Sequence, residues 1–190
     1  LEEDAAKKEE IYAKTAQLYT NDYRPLNNLA VMAFNRGDEA KAKELLAQAI
    51  TKSNNAAEAN ATLGLIALKN GNVAEAENLI AKAADANTLN EALGNLSIAK
   101  GNYAQAEEYF KDSYNNSAAL AQLLNKNYAA AKATLNNIKN PTGLTSYLHA
   151  IVSARQGNKY AANSYLKEAL QKDPSLKAYA ENDLEFANMK

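Results

Sequence analysis

The sequence predicts an all-α protein assembled from repeated helix–turn–helix units, and three observations carry that prediction. Alanine supplies 40 of the 190 residues while proline is held to 3, a balance that favours helix because alanine loses no side-chain entropy on helix formation. Gly37, Gly71, Gly101 and Gly157 recur between stretches of helical apolar period, with Lys126 standing in the same register. Each of these turns is followed by a row of small and bulky residues at i, i+4, i+7: Ala42-Leu46-Ala49, Ala76-Ile80-Ala83, Ala131-Leu135-Ile138 and Ala162-Leu166-Ala169. In the third copy the row begins Ala106-Phe110. Small residues in such a row allow a neighbouring helix to approach closely. Nothing in the composition argues for a sheet.

The bulk numbers exclude more than they assign. A net charge of −1 and a pI near 6.0 give no long-range attraction for nucleic acid or an anionic membrane. The absence of cysteine removes disulfides, thiolate metal sites and cysteine nucleophiles together. No apolar run approaches the 18 or so residues a membrane span needs. The chain opens Leu-Glu-Glu-Asp rather than with Met and an apolar leader, which is read as an excised piece of a longer protein.

Taken in order, residues 1–22 are expected to form one helix with Ile11, Tyr12, Thr15, Ala16 and Tyr19 on its apolar stripe. Glu2, Glu3 and Asp4 sit in or near its first turn, where carboxylates suit the helix dipole. It reads as the second helix of a preceding repeat. Five units follow, at 23–55, 56–86, 87–114, 115–140 and 141–173. Gly37 to Gly71 spans 34 residues, Gly71 to Gly101 only 30, and Gly101 to Lys126 only 25. The first loss falls in the linker around Asp85-Ala86-Asn87. The second shortens the first helix of the fourth unit to Ser117–Leu124, about 12 Å of helix. Asn140-Pro141-Thr142-Gly143 is a firm stop, since proline cannot continue a helix and glycine frees the turn. After Asp173-Pro174, a last helix to about Asn188, with Leu176, Tyr179, Leu184 and Phe186, is expected to cap the array.

Leu63-Gly64 in the first helix of a unit, a tight Asn70-Gly71-Asn72 turn and the Ala76-Ile80-Ala83 row in the second helix together resemble the tetratricopeptide repeat. Leu29-Ala30 and Leu93-Gly94 occupy the Leu-Gly position of neighbouring units, and the 34-residue spacing is that family's period. The resemblance covers residues 23–174. No unit carries the aromatic that often opens the first helix, here called helix A. The implied architecture is a right-handed α-solenoid of about five units with flanking helices.

Residues of chemically active types have plainer readings. His149, the one histidine, falls in the Leu slot of a Leu-Gly pair; with no cysteine, only carboxylates remain to complete a metal site. Glu107-Glu108, Asp183/Glu185 and the carboxylates of residues 2–10 lie on polar helix faces or in the cap. Paired carboxyls across a cleft would be needed for glycoside hydrolysis. No phosphate-loop glycine pattern occurs, and the glycosylation sequons at Asn60 and Asn95 fall mid-helix. The 11 tyrosines could stack sugars or single strands, but Tyr103, Tyr128 and Tyr165 fall where the second helix, helix B, packs on helix A. No catalytic residue, cofactor or metal is therefore expected.

In the tetratricopeptide family the A helices line a concave groove that binds segments of partner proteins. Carried over by register, the groove would show Arg24, Asn27, Val31, Phe34, Asn35, Thr62, Leu65, Lys69, Glu91, Asn95 and Lys100, continuing with Tyr147, Ile151 and Arg155 in the last unit. The carboxylate clamp of chaperone-binding members falls here on Asn27, Val31, Thr62, Thr88 and Ala92, so that clamp is missing. The resemblance implies a non-enzymatic scaffold for a protein or peptide segment, with the cations Arg24, Lys69 and Lys100 favouring an acidic one. The Ala/Asn/Lys/Tyr-rich style and the Asp173-Pro174-Ser175-Leu176-Lys177 cap also resemble repeat modules at the C-terminal end of bacterial cell-envelope lipoproteins, which implies an envelope location, with the cytoplasm as alternative. A glycan- or small-ligand-binding envelope protein and a fragment of an α-helical hydrolase are the rival readings.

Overall fold

A computed structural model describes residues 2–53 and 56–189, and within them the chain is all helix, with no strand. Twelve α-helices occur among the described residues: α1 (Glu2–Leu18), α2 (Arg24–Asn35), α3 (Glu39–Lys52), α4 (Ala57–Lys69), α5 (Val73–Ile80), α6 (Leu89–Ala99), α7 (Tyr103–Tyr109), α8 (Asn116–Leu124), α9 (Tyr128–Asn136), α10 (Gly143–Arg155), α11 (Lys159–Lys172) and α12 (Lys177–Asn182). Short 3-10 turns at Pro174–Leu176 and Leu184–Met189 flank α12. The chain divides into two compact halves, Leu1–Lys100 and Gly101–Lys190. The expected junction between the first two repeats at residue 55 lies outside the described residues.

In the N-terminal half α2 pairs with α3 and α4 with α5, while each B helix also packs on the next A helix, α3 on α4 and α5 on α6. The A helices α2, α4 and α6 lie side by side, with α1 packed on α2 in the place of a preceding B helix. The C-terminal half repeats the pattern with α8–α9 and α10–α11, where α7 packs on α8 and α9 on α10. Fold class therefore agrees with the sequence reading: an all-α array of antiparallel helix pairs.

The small-residue row makes this packing possible. Ala42, Ala76, Ala106, Ala131 and Ala162 are all fully buried. Leu46 beside the first of them is also wholly enclosed, which contributes about 1.5–3 kcal/mol of apolar burial. Gly64 shows why the Leu-Gly pair needs its glycine: a Cβ there would stand 2.7 Å from Ile80 Cγ1 of the facing helix.

Each A helix ends in a residue of left-handed backbone: Gly37 (φ 86°), Gly71 (77°), Gly101 (77°), Lys126 (64°) and Gly157 (76°). The following amide then donates back to a carbonyl near the helix end, as in Asp38 to Ala33 (2.9 Å), Asn72 to Ala67 (2.9 Å), Asn127 to Gln122 (2.8 Å) and Asn158 to Ser153 (2.9 Å). These bonds satisfy carbonyls that the helix itself leaves open. Asp38 and Asn158 next cap the B helix by accepting from Lys41 and Ala161 amides, each at 3.0 Å.

A second regularity was not foreseen. The residue just before each of four turns donates to a glutamate on the preceding B helix: Arg36 to Glu9, Asn70 to Glu39 (2.7 Å), Lys100 to Glu77 (2.8 Å) and Asn125 to Glu107 (2.9 Å). Chemically different donors thus make the same clasp in four repeats.

Three local expectations need correction. Ile11 and Tyr19, placed on the apolar stripe of α1, are 59% and 63% exposed; Tyr12, Thr15 and Ala16 are the half-buried ones. Helix α5 stops at Ile80, and the buried Ala83 belongs to the irregular turn that follows. The single capping helix expected from Pro174 to Asn188 is instead broken at Asp183, whose backbone is extended (φ −78°, ψ 120°).

Candidate functional site

The A-helix face of the N-terminal half holds two adjoining surface depressions. At the start of the helices, Asn27 and Val31 of α2 and Thr62 of α4 line a space of about 500 Å³, walled by Asp4, Lys8 and Tyr12 of α1 and closed by Thr88. One to two turns further along, Phe34, Leu65, Lys69, Glu91 and Asn95 line a second space of about 410 Å³. The rows Asn27-Val31-Phe34, Thr62-Leu65-Lys69 and Thr88-Glu91-Asn95 step at helical spacing, so each A helix contributes one stripe to both.

Between the first two helices, Thr62 Oγ1 donates to Asn27 Oδ1 at 2.9 Å, and both residues are buried. Nearby, the Tyr23 hydroxyl donates to Glu58; burial first, and then that carboxylate, push its pKa up to about 12. The amide row is therefore partly committed to holding α2 against α4. Asn95 likewise donates to its own helix, at Glu91 O (2.9 Å).

The three expected cations are engaged. Arg24 forks onto Asp22, its Nη2 lying 2.7 Å from Oδ2. Lys69 Nζ lies 4.5 Å above the centroid of the Phe34 ring. Lys100 caps the end of α6 and pairs with Glu77, which places it on the turn clasp rather than in either depression. Arg24 lines a different hollow, with Asp22 and Lys52, and Asn35 is exposed at the end of α2. Of the eleven expected positions in this half, eight thus gather on one face: Asn27, Val31, Phe34, Thr62, Leu65, Lys69, Glu91 and Asn95.

Tyr147 and Arg155 of α10 are occupied otherwise than the groove register expects. The Tyr147 hydroxyl donates to Asp183 Oδ2 at 2.7 Å, and its ring meets Phe186 edge-on at 5.5 Å between centroids. Burial and the Asp183 carboxylate raise that hydroxyl's pKa well above the usual tyrosine range, so it remains a donor. Arg155 forks onto Glu185, Nε to Oε2 at 2.6 Å with Nη2 on the other oxygen. Both residues hold the chain's own C-terminal segment.

His149 is buried in α10 and stacks on Tyr165, 4.6 Å between centroids with planes 12° apart. Desolvation lowers its pKa. Among the described residues, no three His, Cys, Asp or Glu side chains gather as a metal site would require. Four of the carboxylates singled out in the sequence have partners: Glu107 accepts from Asn125, Glu108 pairs with Lys111, Asp183 accepts from Tyr147 and Glu185 pairs with Arg155. Sequence register missed the contribution of Asp4, Lys8 and Tyr12, because nothing in the repeat pattern says that α1 leans over the first A helix.

Paired helices, small-residue contacts and a stripe from each of α2, α4 and α6 define a helical-repeat protein. Two family models described as tetratricopeptide repeat match the chain, over residues 33–97 and 89–118. That stretch is composed of tetratricopeptide repeats, as the Leu63-Gly64 unit and its copies indicate. The chain is similar in fold to three solved structures. A tetratricopeptide repeat protein from Parabacteroides merdae matches at a TM-score of 0.64 and 18% identity, over 95% of this chain and 77% of that one. PilF of Pseudomonas aeruginosa matches at 0.57 and 16%, over 97% of each chain. PilW, described as a widely conserved type IV pilus biogenesis factor, matches at 0.61 and 18%, over 98% of this chain and 90% of that one. No curated protein matches the chain in sequence.

Proposed function

We propose that the chain is a non-enzymatic scaffold whose N-terminal half binds an extended segment of a partner protein across α2, α4 and α6. The observation that carries this reading is the convergence of Asn27, Val31, Leu65, Lys69, Glu91 and Asn95 on two adjoining depressions of one face. Such a face offers apolar seats beside amide and carboxylate groups that can hydrogen-bond a peptide backbone whatever its sequence. Since Arg24, Lys69 and Lys100 each already face an anion or an aromatic ring, attraction for an acidic segment is reduced, and backbone recognition with shallow apolar anchors is the mode the face favours.

The test is affinity capture from native cells by the intact chain and by a Leu65→Lys, Val31→Lys variant. A protein retained by the first and lost by the second, at unchanged melting temperature, supports the reading. Equal capture by both rejects it. A location in the bacterial envelope, as one module of a larger protein, rests on the compositional resemblance to envelope lipoproteins; at 18% identity or less the pilus proteins support the fold. Recovery of the native protein in the cytosolic fraction would reject that location.

A further inference from the structure

The C-terminal half carries a second recognition surface that the chain fills itself. From α12 the backbone straightens at Asp183 and presents Asp183-Leu184-Glu185-Phe186 to α10. Helix α10 reads three of these four side chains. Tyr147 donates to Asp183, Arg155 forks onto Glu185, and Phe186 is only 2% exposed, beside the Tyr147 ring. Leu184, between them, points away and is 87% exposed. A merely structural cap would be expected to bury its leucine; here a leucine is left in water while two carboxylates are matched by specific donors.

The connection leading to this segment is thinly held. Of the six residues of α12, Ala180 is buried and the other five are exposed. The segment is thus fastened by its own side chains: two charged or polar matches and one aromatic anchor. Bidentate arginine–carboxylate pairing and a single buried aromatic are the features by which helical grooves select short linear segments. Tyr147 and Arg155 are also two of the three positions of α10 that repeat register assigns to the groove wall.

We infer that the α10 surface is a binding site for acidic–aromatic segments of the form Asp-x-Glu-Phe in a partner protein, held closed by the chain's own residues 183–186. This rests on the C-terminal half alone and stands or falls apart from the reading of the N-terminal face. An occupied site lowers apparent affinity by the fraction of molecules in which the strap is released.

The experiment uses a fluorescein-labelled peptide of residues 181–190 and the full chain. A Glu185→Arg, Phe186→Ala chain, with its strap loosened, should bind the peptide at least about tenfold more tightly than the unaltered chain. Adding Arg155→Glu to the loosened chain should abolish binding, and a peptide carrying Glu185→Arg should recover it. A loosened chain that retains its helical circular dichroism yet binds no peptide, or binds a Phe186→Ala peptide equally well, overturns the inference. Should the loosened chain fail to fold, the unaltered sequence with 4-fluorophenylalanine at Phe186 decides. Excess unlabelled peptide should move its fluorine resonance to the position of a solvent-exposed ring, and a resonance that stays in place at millimolar peptide overturns the inference.

Discussion

Lys126 is the residue at which the repeat pattern costs something locally. It occupies the left-handed turn position that Gly37, Gly71, Gly101 and Gly157 hold elsewhere, and a side chain there carries a penalty of about 1–2 kcal/mol. Replacing it by glycine removes that strain but loosens the unfolded chain by about 0.4–1 kcal/mol, so Lys126→Gly should be neutral or stabilising by up to about 1.6 kcal/mol. Gly71→Ala should destabilise by about 1 kcal/mol, because it introduces the same strain where none existed. Chemical denaturation of the two variants checks both, and a clear loss in Lys126→Gly would show that the lysine side chain has a compensating contact. His149 makes a different prediction. Its folded pKa is depressed by burial, so the unfolded chain binds the proton more readily. Its contribution is fully present above the ordinary histidine pKa of about 6.5 and is lost as pH falls toward the folded value. The stability difference between the native chain and His149→Phe should therefore move in favour of the variant from pH 7 to pH 5, measured by urea midpoints at each pH. A difference that stays constant would mean that His149 is solvated in the folded state.

At the scale of the element, the alanine row sets how closely A and B helices pack. Ala76→Leu should overpack the α4–α5 contact and cost about 1–3 kcal/mol, read as a lower melting temperature. An unchanged melting temperature would show that α5 can shift away from α4 without loss. This row was legible in the sequence because burial by a small residue repeats at fixed spacing, and so were four of the five turns, since a left-handed backbone selects glycine; the turn at Lys126 was placed by register. The shortened α8 was legible too, from the 25-residue spacing between Gly101 and Lys126. The clasp of Arg36, Asn70, Lys100 and Asn125 was not, because a guanidinium, an ammonium and two amides share no residue pattern to find. Nor was the break at Asp183: an apolar stripe at helical period continues through Leu184 and Phe186, and only the side-chain matches on α10 explain why the backbone leaves the helix there. The eight gathered groove positions followed from register alone, whereas the fates of Arg24 and Lys100 depend on neighbours that register does not rank. Exposed clasps are individually small, about 0–1 kcal/mol. Glu39→Ala and Glu77→Ala should each destabilise slightly, and both losses should shrink in high salt, since Glu39 also pairs with Lys43 and Glu77 pairs with Lys100.

Across the whole molecule, burial is uneven. Helices α4 and α10 hold eight and nine buried residues, while α12 holds one. In a repeat array, where each unit is supported by its immediate neighbours, local stability should follow that distribution. Amide hydrogen exchange should therefore be slowest in α4 and α10 and fastest in α12 and in α1, where no described side chain is buried. Uniform protection along the chain would mean that it unfolds as one cooperative block. The turn clasp also bears on how such a chain changes over generations. Cut at its turns, the sequence falls into stretches 37–70, 71–100 and 101–125, and each contains both partners of its own clasp: Glu39 with Asn70, Glu77 with Lys100, Glu107 with Asn125. A duplication or deletion of coding sequence bounded by two turns leaves no donor or acceptor stranded. Because the link sits at the turn, it is indifferent to how many residues separate one turn from the next, and stretches of 34, 30 and 25 residues keep it alike. Copy number and copy length are thereby free to drift in the gene while each of these joints is inherited intact.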